Sequence, residues 1–340
     1  MVVISLSPTA CYLSRGAWEE GKILARRKPI AELVADRRTD SLTRRKLSLV
    51  LAARQYARDS IGLATKESFT TYSKLDRDTL VLVLSAAYRD KLEPYTWWFP
   101  IVGRVPYKGF FDFDAAKSTA RKLHDRGFDV SLRPSAAFST LGFFNDPLTS
   151  TTLARDTLEL VNTVIHEVTH NTFYAPGQAV FNESFANFVG ARGAAAFFRS
   201  RGQPDAAARV DAEWEDDKLL GDFWTRLVAT LDSAYSAHPD NRDWRIAVRD
   251  TIYMRARRAL VSDIGPQLKT IGPFYVQHVP LDNASLLARR VYARDLQLFD
   301  EIYAKEGRSL RRAIARIISL ARSDRKDPYG AVNRWLAGIR

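Results

Sequence analysis

Residues 161–190 read "VNTVIHEVTHNTFYAPGQAVFNESFANFVG". Two histidines, His166 and His170, flank a Glu-Val-Thr triplet, and Glu183 follows the second histidine by thirteen positions. Residues four apart lie on the same face of an α-helix, so the two imidazoles project together. Two imidazoles placed in this way can hold one zinc ion with bonds of about 2.0–2.1 Å. The stretch therefore predicts a helix that carries a metal site.

The other polar residues of this stretch fit a catalytic site. Glu167 lies beside the histidine face, where a carboxylate can take a proton from a water at the metal. A catalytic zinc normally has three protein ligands and one open position. Glu183 is the natural third ligand because it follows a turn-like "APGQ" (175–178) and is expected to open the next helix. Asn187, one turn further on, is expected to orient a ligating histidine.

The alternative is a helix that carries two core histidines by chance. The chain has five histidines, and the three fixed letters of the pattern would arise in roughly one in a few hundred such sequences. However, two buried histidines and a neighbouring glutamate cost stability unless all are paired. A following Asn-Glu-x-x-Ala at reachable distance is also not expected by chance. We therefore favour the metal site.

The remaining sequence predicts an α+β fold. Apolar residues recur at helical spacing in residues 13–62, whereas residues 78–88, 96–112 and 128–144 have the aromatic and β-branched composition of strands. After about residue 150 the pattern is almost entirely helical. The predicted helices are 151–173, 183–200, 204–237, 241–262, 284–305, 308–323 and 328–338. We expect a small N-terminal sheet with crossover helices, followed by a mostly helical region.

No linker divides the chain, so residues 13–340 are expected to form a single domain, with a mixed part at 13–150 and a mainly helical part at 151–340. Residues 1–12 contain a short apolar run that ends in Thr-Ala-Cys. This run resembles the end of a bacterial lipoprotein signal, in which the cysteine is lipidated after cleavage. It lacks the basic residues that usually begin a signal, and it is shorter than usual. Two alternatives follow, a true start further upstream or an accidental likeness.

Positive charge is concentrated at the C-terminal end. The chain carries a formal net charge of +12, and the last hundred residues contribute +10 of it. Such a surplus can attract phosphate groups of nucleic acid or anionic lipid. The arginines recur at helical spacing among aliphatic residues, however, which is typical of solvated helix faces. One cysteine, Cys11, excludes an internal disulfide and a thiolate zinc cluster.

The segment at 162–190 resembles the zinc-binding segment of a bacterial family of predicted aminopeptidases within the gluzincin group of metallopeptidases. The resemblance extends to "LEPYTWWFPIVGRVPYKGFFD" (92–112), "AAFSTLGFFNDPL" (136–148) and "LDNASLLARRVYARDLQLFDEIY" (281–303). It implies a zincin-like fold that holds one Zn²⁺ ion through His166, His170 and Glu183, with Glu167 as general base and acid. Members of the family commonly carry a lipidated cysteine, which implies anchoring through Cys11 in the bacterial cell envelope. A genuine start at Met1 would instead imply a cytoplasmic protein.

Further site residues follow from the chemistry of peptide hydrolysis. The oxyanion needs a second donor besides the metal, and Tyr292 is preferred for this role over Tyr174 and His278. Residues 137–142, which include Ser139, Thr140, Leu141 and Gly142, are expected either to pair with the substrate backbone, as a strand does in gluzincins generally, or to form an edge strand with no role in binding. Asn283 is expected either to bind substrate backbone or to cap the helix that begins there.

The sequence therefore predicts a zinc-dependent peptidase, an aminopeptidase by analogy with the family, that acts on a peptide or protein substrate. The alternative from another class is a non-catalytic module, stabilised by zinc, whose basic C-terminal region binds anionic membrane or nucleic acid. A protease that acts on chromatin is a third interpretation. Only the charge favours it, and enzymes of that kind use a third histidine where this chain has Glu183. We therefore do not expect nucleic acid as a partner.

Overall fold

The computed structural model describes residues 21–76, 79, 81–99, 103–135, 147–290 and 294–338. The fold is α+β and 65% helical, with small sheets in the N-terminal half and a mostly helical C-terminal region. This confirms the predicted class. The chain divides into two compact units, which comprise residues 1–51, 67–88 and 93–155 in the first, and 52–66, 89–92 and 156–340 in the second.

Within the described residues, the strands of the first unit form three small sheets rather than the one sheet that was predicted. The strands are β1 Lys28–Pro29, β2 Thr71–Ser73, β3 Val81–Tyr88, β4 Trp97–Phe99, β5 Gly103–Val105, β6 Tyr107–Phe110, β7 Phe128–Ser135 and β8 Leu148–Thr149. The sheet orders are β1-β2-β8, β6-β3-β7 and β4-β5. Outside the sheet centred on β3 each strand has only two or three residues, which offers few positions for pairing with a further strand.

The sheet centred on β3 contains the predicted crossover helix. β6 and β7 both run antiparallel to β3, and helix α3, Phe113–Asp125, connects them. Asp112 caps this helix through its side chain, which accepts from the backbone N–H groups of Asp114 and Ala115. Leu84 of β3 and Leu123 of α3 belong to the buried core between helix and sheet.

The first unit also contains α1 Ile30–Ala35, the first part of α2 Ser41–Asp59, and α4 Ser150–Leu153. The helices of the second unit after α4 are α5 Thr157–Thr172, α6 Ala179–Ser200, α7 Pro204–Ala237, α8 Arg242–Ala259, α9 Pro273–His278, α10 Asn283–Arg290, α11 Leu296–Lys305, α12 Leu310–Ser323 and α13 Pro328–Leu336. A π-helical segment, Leu260–Ile264, follows α8 directly. In the described residues no helix is long and apolar enough to cross a membrane.

Two predicted helices are interrupted in the structure. The helix predicted at 151–173 is divided into α4 and α5 because the Asp156 side chain accepts from the backbone N–H groups of Leu158 and Glu159 and so begins a new helix. The helix predicted at 284–305 is divided into α10 and α11, and Asp295 before α11 adopts a left-handed conformation with φ of 51°. A sequence period alone does not reveal breaks of this kind, because the apolar spacing continues across them.

Candidate metal centre

Helix α5 has one face that is fixed by burial in the second unit. Leu160, Val164 and Val168 on this helix have no exposed surface, and complete burial of such side chains contributes about 1.5–3 kcal/mol each. His166 and His170 lie on a neighbouring face and keep 14% and 22% of their side-chain surface exposed. The apolar residues thus determine how the helix is rotated, and this rotation leaves both imidazoles accessible.

The turn between α5 and α6 brings Glu183 close to the two histidines. Gly177 has φ of +76°, and the N–H of Gln178 donates to the carbonyl of Ala175, which is the arrangement of a Pro-Gly turn of type II. The buried Asn182 holds this turn against α6. Its Oδ1 accepts from the N–H of Ala175 and its Nδ2 donates to the Ala175 carbonyl, both at 2.8 Å. Glu183 is the next residue after this clamp.

Glu183 lies in the second turn of α6, since the helix begins at Ala179. The sequence analysis expected Glu183 to be the first residue of this helix, and that expectation is wrong. Its Oε2 lies 3.4 Å from Nε2 of His166, and its Oε1 lies 3.6 Å from Nε2 of His170. The two imidazole Nε2 atoms are 3.3 Å apart. The three predicted ligands are therefore brought together with their donor atoms facing one another.

These separations fit a metal ion. Four ligands arranged tetrahedrally with bonds of about 2.0–2.1 Å lie roughly 3.3–3.4 Å from each other. Two imidazole nitrogens and one carboxylate are also a donor set that first-row divalent metals accept. Among the described residues, His166, His170 and Glu183 form the one group of three or more potential ligands with this proximity. The group can thus hold a metal ion.

Two further side chains act on the histidines. The charge of Glu167, which follows His166 on α5, affects both imidazoles. The side chain of Asn187, one turn after Glu183 on α6, hydrogen-bonds to His166. Both residues therefore lie at the positions that the sequence analysis gave them relative to the histidines.

The electrostatics of the site favour a positive charge between the ligands. Burial acts to lower the pKa of His166, but the hydrogen bond with Glu183 and the charges of Glu167 and Glu183, together with Asn187, leave that pKa raised. The pKa of His170 is lowered by burial and by the neighbouring His166, against the opposing effect of both glutamates. In the absence of a metal, one imidazole thus attracts a proton while the other tends to remain neutral.

Close packing of α5 against α6 was missed by the sequence analysis. A Cβ added to Gly190 of α6 would lie 3.2 Å from the Cβ of His166 and 3.1 Å from the carbonyl oxygen of Asn162, and it would overlap the Asn162 side chain. A Cβ on Gly193 would lie 2.9 Å from Cγ2 of Ile165. Glycines in a helix interior cost stability relative to alanine, so the pair at 190 and 193 was a signal for this approach.

Other predicted residues have varied surroundings. The ring of Tyr174 lies 6.5 Å from that of His170 and is 52% exposed. His278 is exposed, stacks on Phe274 and donates from Nδ1 to the Phe274 carbonyl at 2.8 Å. Tyr292, the strand with Ser139, Thr140, Leu141 and Gly142, and Cys11 all lie outside the described residues.

Asn283 is fully buried. Its Oδ1 accepts from the hydroxyls of Tyr235 and Tyr253 at 3.2 and 2.7 Å, and its Nδ2 donates to the Lys91 carbonyl at 3.2 Å. The proposed capping role is wrong, because Asp282 accepts from the N–H of Ser285 at the start of α10 instead. A side chain with no exposed atoms and no spare hydrogen-bonding capacity also does not favour the predicted contact with substrate.

Comparisons with known proteins add the family. The chain matches none of the curated proteins and none of the solved structures with which it was compared. A family model described as "Putative aminopeptidase" matches residues 11–328, which is most of the 340-residue chain. This match supports peptidase chemistry at a coarse level. The chain therefore belongs to the "Putative aminopeptidase" family.

Proposed function

We propose that the protein is a zinc-dependent peptidase of the gluzincin type that removes residues from the N-terminus of peptides. The observation that carries this proposal is the convergence of His166, His170 and Glu183, whose donor atoms lie 3.3–3.6 Å apart. The chain's membership of the "Putative aminopeptidase" family supports it. When bound at these three residues, a zinc ion supplies a Lewis acid that polarises a carbonyl and makes a water molecule more acidic.

Glu167 is the proposed general base and acid. It directly follows a proposed ligand on α5, and its charge acts on both histidines. A water held at the metal would therefore lie close to this carboxylate. It takes a proton from the attacking water and passes that proton to the nitrogen of the leaving amine. The carboxylate is thus unchanged after one round of hydrolysis.

Asn187 is proposed to fix the orientation of the His166 ring. Its side chain hydrogen-bonds to His166 from a position one turn after Glu183 on the same helix. Residues that hydrogen-bond to a ligating histidine restrict its rotation, and their loss commonly reduces metal affinity by about 10–100-fold. α6 would therefore supply one ligand and hold another.

The donor to the oxyanion is proposed to be a tyrosine. Tyr174 is the described candidate, since its exposed ring lies 6.5 Å from that of His170. Tyr292 remains the candidate from the sequence, because it lies in the block at 281–303 that resembles the family. Tyr174→Phe and Tyr292→Phe, assayed side by side, identify which hydroxyl matters for kcat.

The sequence resemblance supports three further proposals, namely a single zincin-like domain at 13–340, substrate binding along residues 139–142, and lipidation of Cys11. If residues 139–142 bind substrate, alanine or proline substitutions in this segment should raise KM for longer peptides more than for dipeptides. If Cys11 is lipidated, intact-mass spectrometry of the protein isolated from the cell envelope should detect the lipid-modified cysteine directly.

The central experiment compares zinc content and hydrolysis of a mixed peptide library for three proteins: the wild type, Glu167→Gln and Glu183→Gln. The wild type is expected to hold one zinc and to shorten peptides from the N-terminus. Glu167→Gln is expected to hold zinc but lose nearly all hydrolysis. Glu183→Gln is expected to lose both, because a ligand is removed.

Three results would contradict the proposal in whole or in part. If Glu167→Gln hydrolyses peptides at the wild-type rate, Glu167 is not the base. If the wild type holds zinc and leaves every peptide intact, the interpretation as a non-catalytic module with a basic binding surface becomes the better one. Cleavage within the peptides, rather than at their ends, would assign the enzyme as an endopeptidase.

A further inference from the structure

A groove of about 450 Å³ lies in the helical part of the second unit, and none of its lining residues belongs to α5 or α6. Its floor is formed by apolar side chains of α7 and α8, which include Phe223, Leu227, Ile252 and Ala256. The same side chains belong to a buried hydrophobic core, so the floor is part of the packed interior. The volume is within the range of about 300–1,000 Å³ that is typical of small-molecule sites.

The rim of this groove is basic. Arg226 of α7 and Arg255 of α8 both line it, and both are exposed. Neither guanidinium has a hydrogen-bond or ion-pair partner within the described ranges. The acidic residue that lines the groove, Asp263, already accepts at Oδ1 from the Ser262 hydroxyl at 2.6 Å. The groove thus combines an apolar floor with two arginines that are available to an anion.

The segment at one side of the groove has an uncommon conformation. Leu260–Ile264 is π-helical and contributes Asp263 and Ile264 to the lining. Short π-helical segments occur frequently at functional sites. The π-helical segment follows α8 without a break. The side chains of Asp263 and Ile264 are therefore spaced differently along the helix from those of α8 that line the groove.

We propose that this groove binds a single-chain anionic amphiphile, a free fatty acid, with its acyl chain along the floor and its carboxylate at Arg226 and Arg255. Guanidinium groups bind carboxylates through paired, charge-assisted hydrogen bonds. A peptide or a nucleotide would require several polar partners, and the lining offers Thr230 as its one neutral polar side chain. The Thr230 hydroxyl already donates to the Arg226 carbonyl. The inference is independent of the proposed peptidase activity.

The test measures binding of dodecanoate to the full-length protein by isothermal titration calorimetry. Acetate supplies the head group alone, and dodecyl maltoside supplies the chain with an uncharged head. Dodecanoate is expected to bind once per protein, at least tenfold more tightly than either comparison compound. The double variant Arg226→Gln/Arg255→Gln is expected to weaken this binding by at least tenfold, since each charge-assisted bond contributes roughly tenfold or more.

Two further variants make the result specific. Arg258→Gln removes an exposed arginine of the same helix that does not line the groove, and it should change dodecanoate affinity by less than about twofold. Ala259→Phe fills the groove and should abolish binding, with the melting temperature measured to establish that the variant is folded. Three results would overturn the proposal: no binding of dodecanoate, equal binding of dodecyl maltoside, or unchanged affinity in the double arginine variant.

Discussion

Gly190 of α6 packs directly against His166 of α5, so that a Cβ at position 190 would lie 3.2 Å from the Cβ of the histidine. The backbone carbonyl of Asn162, one turn before His166, would be equally close, and the Asn162 side chain would be overlapped. The two helices that carry the three predicted ligands therefore approach each other at a point where no side chain fits. The separation of the ligands depends on this glycine.

Gly190→Ala is expected to push α5 away from α6 and to separate Glu183 from the histidines. We expect zinc affinity to fall by about tenfold or more, as for other changes that displace metal ligands, together with a lower melting temperature. Gly193→Ala is the matched control, because its Cβ would meet aliphatic carbons of Ile165 and Ile61 rather than the histidine. That control should lower stability with little change in zinc affinity. Equal zinc affinity for wild type and Gly190→Ala would refute this role of the glycine.

Asn182→Ala is expected to loosen the turn that presents Glu183. The substitution leaves the buried N–H of Ala175 without its acceptor, which should lower the free energy of unfolding by about 1–3 kcal/mol. Zinc affinity should fall as well, because Glu183 follows Asn182 directly. Gln178→Ala serves as a control in the same turn, since its amide donates to carbonyls of Arg325 and Lys326 at a more exposed position. Urea denaturation measures the change in unfolding free energy, and zinc titration measures the change in affinity. Unchanged zinc affinity in Asn182→Ala would show that the contact between Asn182 and Ala175 does not position Glu183.

Asn283→Ala separates a structural role from a role in substrate binding. The side chain is buried and joins the hydroxyls of Tyr235 and Tyr253 to the backbone of Lys91. Its loss should lower the free energy of unfolding by about 1–3 kcal/mol, while kcat and KM per folded molecule stay at wild-type values. A raised KM in a folded variant would restore the prediction, made from the sequence, that Asn283 contacts the substrate.

Asp300→Asn is expected to destabilise the helical region through a buried charge cluster. Asp300 of α11 accepts hydrogen bonds from Arg192 at 2.8 and 2.7 Å, from Trp214 at 2.9 Å and from Lys218 at 2.7 Å. Only 11% of its side-chain surface is exposed. Removal of one partner from a buried cluster of charges costs about 3–5 kcal/mol, so a loss of this size is expected at neutral pH.

The stability difference between wild type and Asp300→Asn is expected to depend on pH. Burial acts to raise the pKa of Asp300, but the hydrogen bonds from Arg192 and Lys218 outweigh it and leave that pKa lowered. The ionised carboxylate therefore stabilises the fold fully above its unfolded-state pKa of about 3.9, and this stability is lost as the pH falls through the lower folded-state pKa. The difference in unfolding free energy between wild type and Asp300→Asn should be constant from pH 7 to about pH 5 and shrink below about pH 4. A difference that grows in acid would contradict this assignment.

The sequence by itself determined the features that depend on helical periodicity. Four-residue spacing places His166 and His170 on one face of α5, and an apolar period at 3.6 residues predicts most of the helical region, whatever surrounds it. The same reasoning places Glu167 and Asn187 beside the proposed ligands, because each is separated from one of them by a fixed helical step. Their roles in catalysis and in metal binding stay predictions. By contrast, the count of charged residues showed that the C-terminal region is basic, but it did not indicate which arginines form ion pairs.

Tertiary structure alone decided the features that depend on residues far apart in the chain. The distance from Glu183 to the histidines depends on the clamp between Asn182 and Ala175 and on the contact between Gly190 and α5, neither of which a helical period reveals. Asp300 meets Arg192 across 108 positions, and Asn283 is buried by tyrosines that precede it by 48 and 30 positions. Such contacts arise because apolar faces pack to exclude water and bring distant polar groups together, where each must then find a partner.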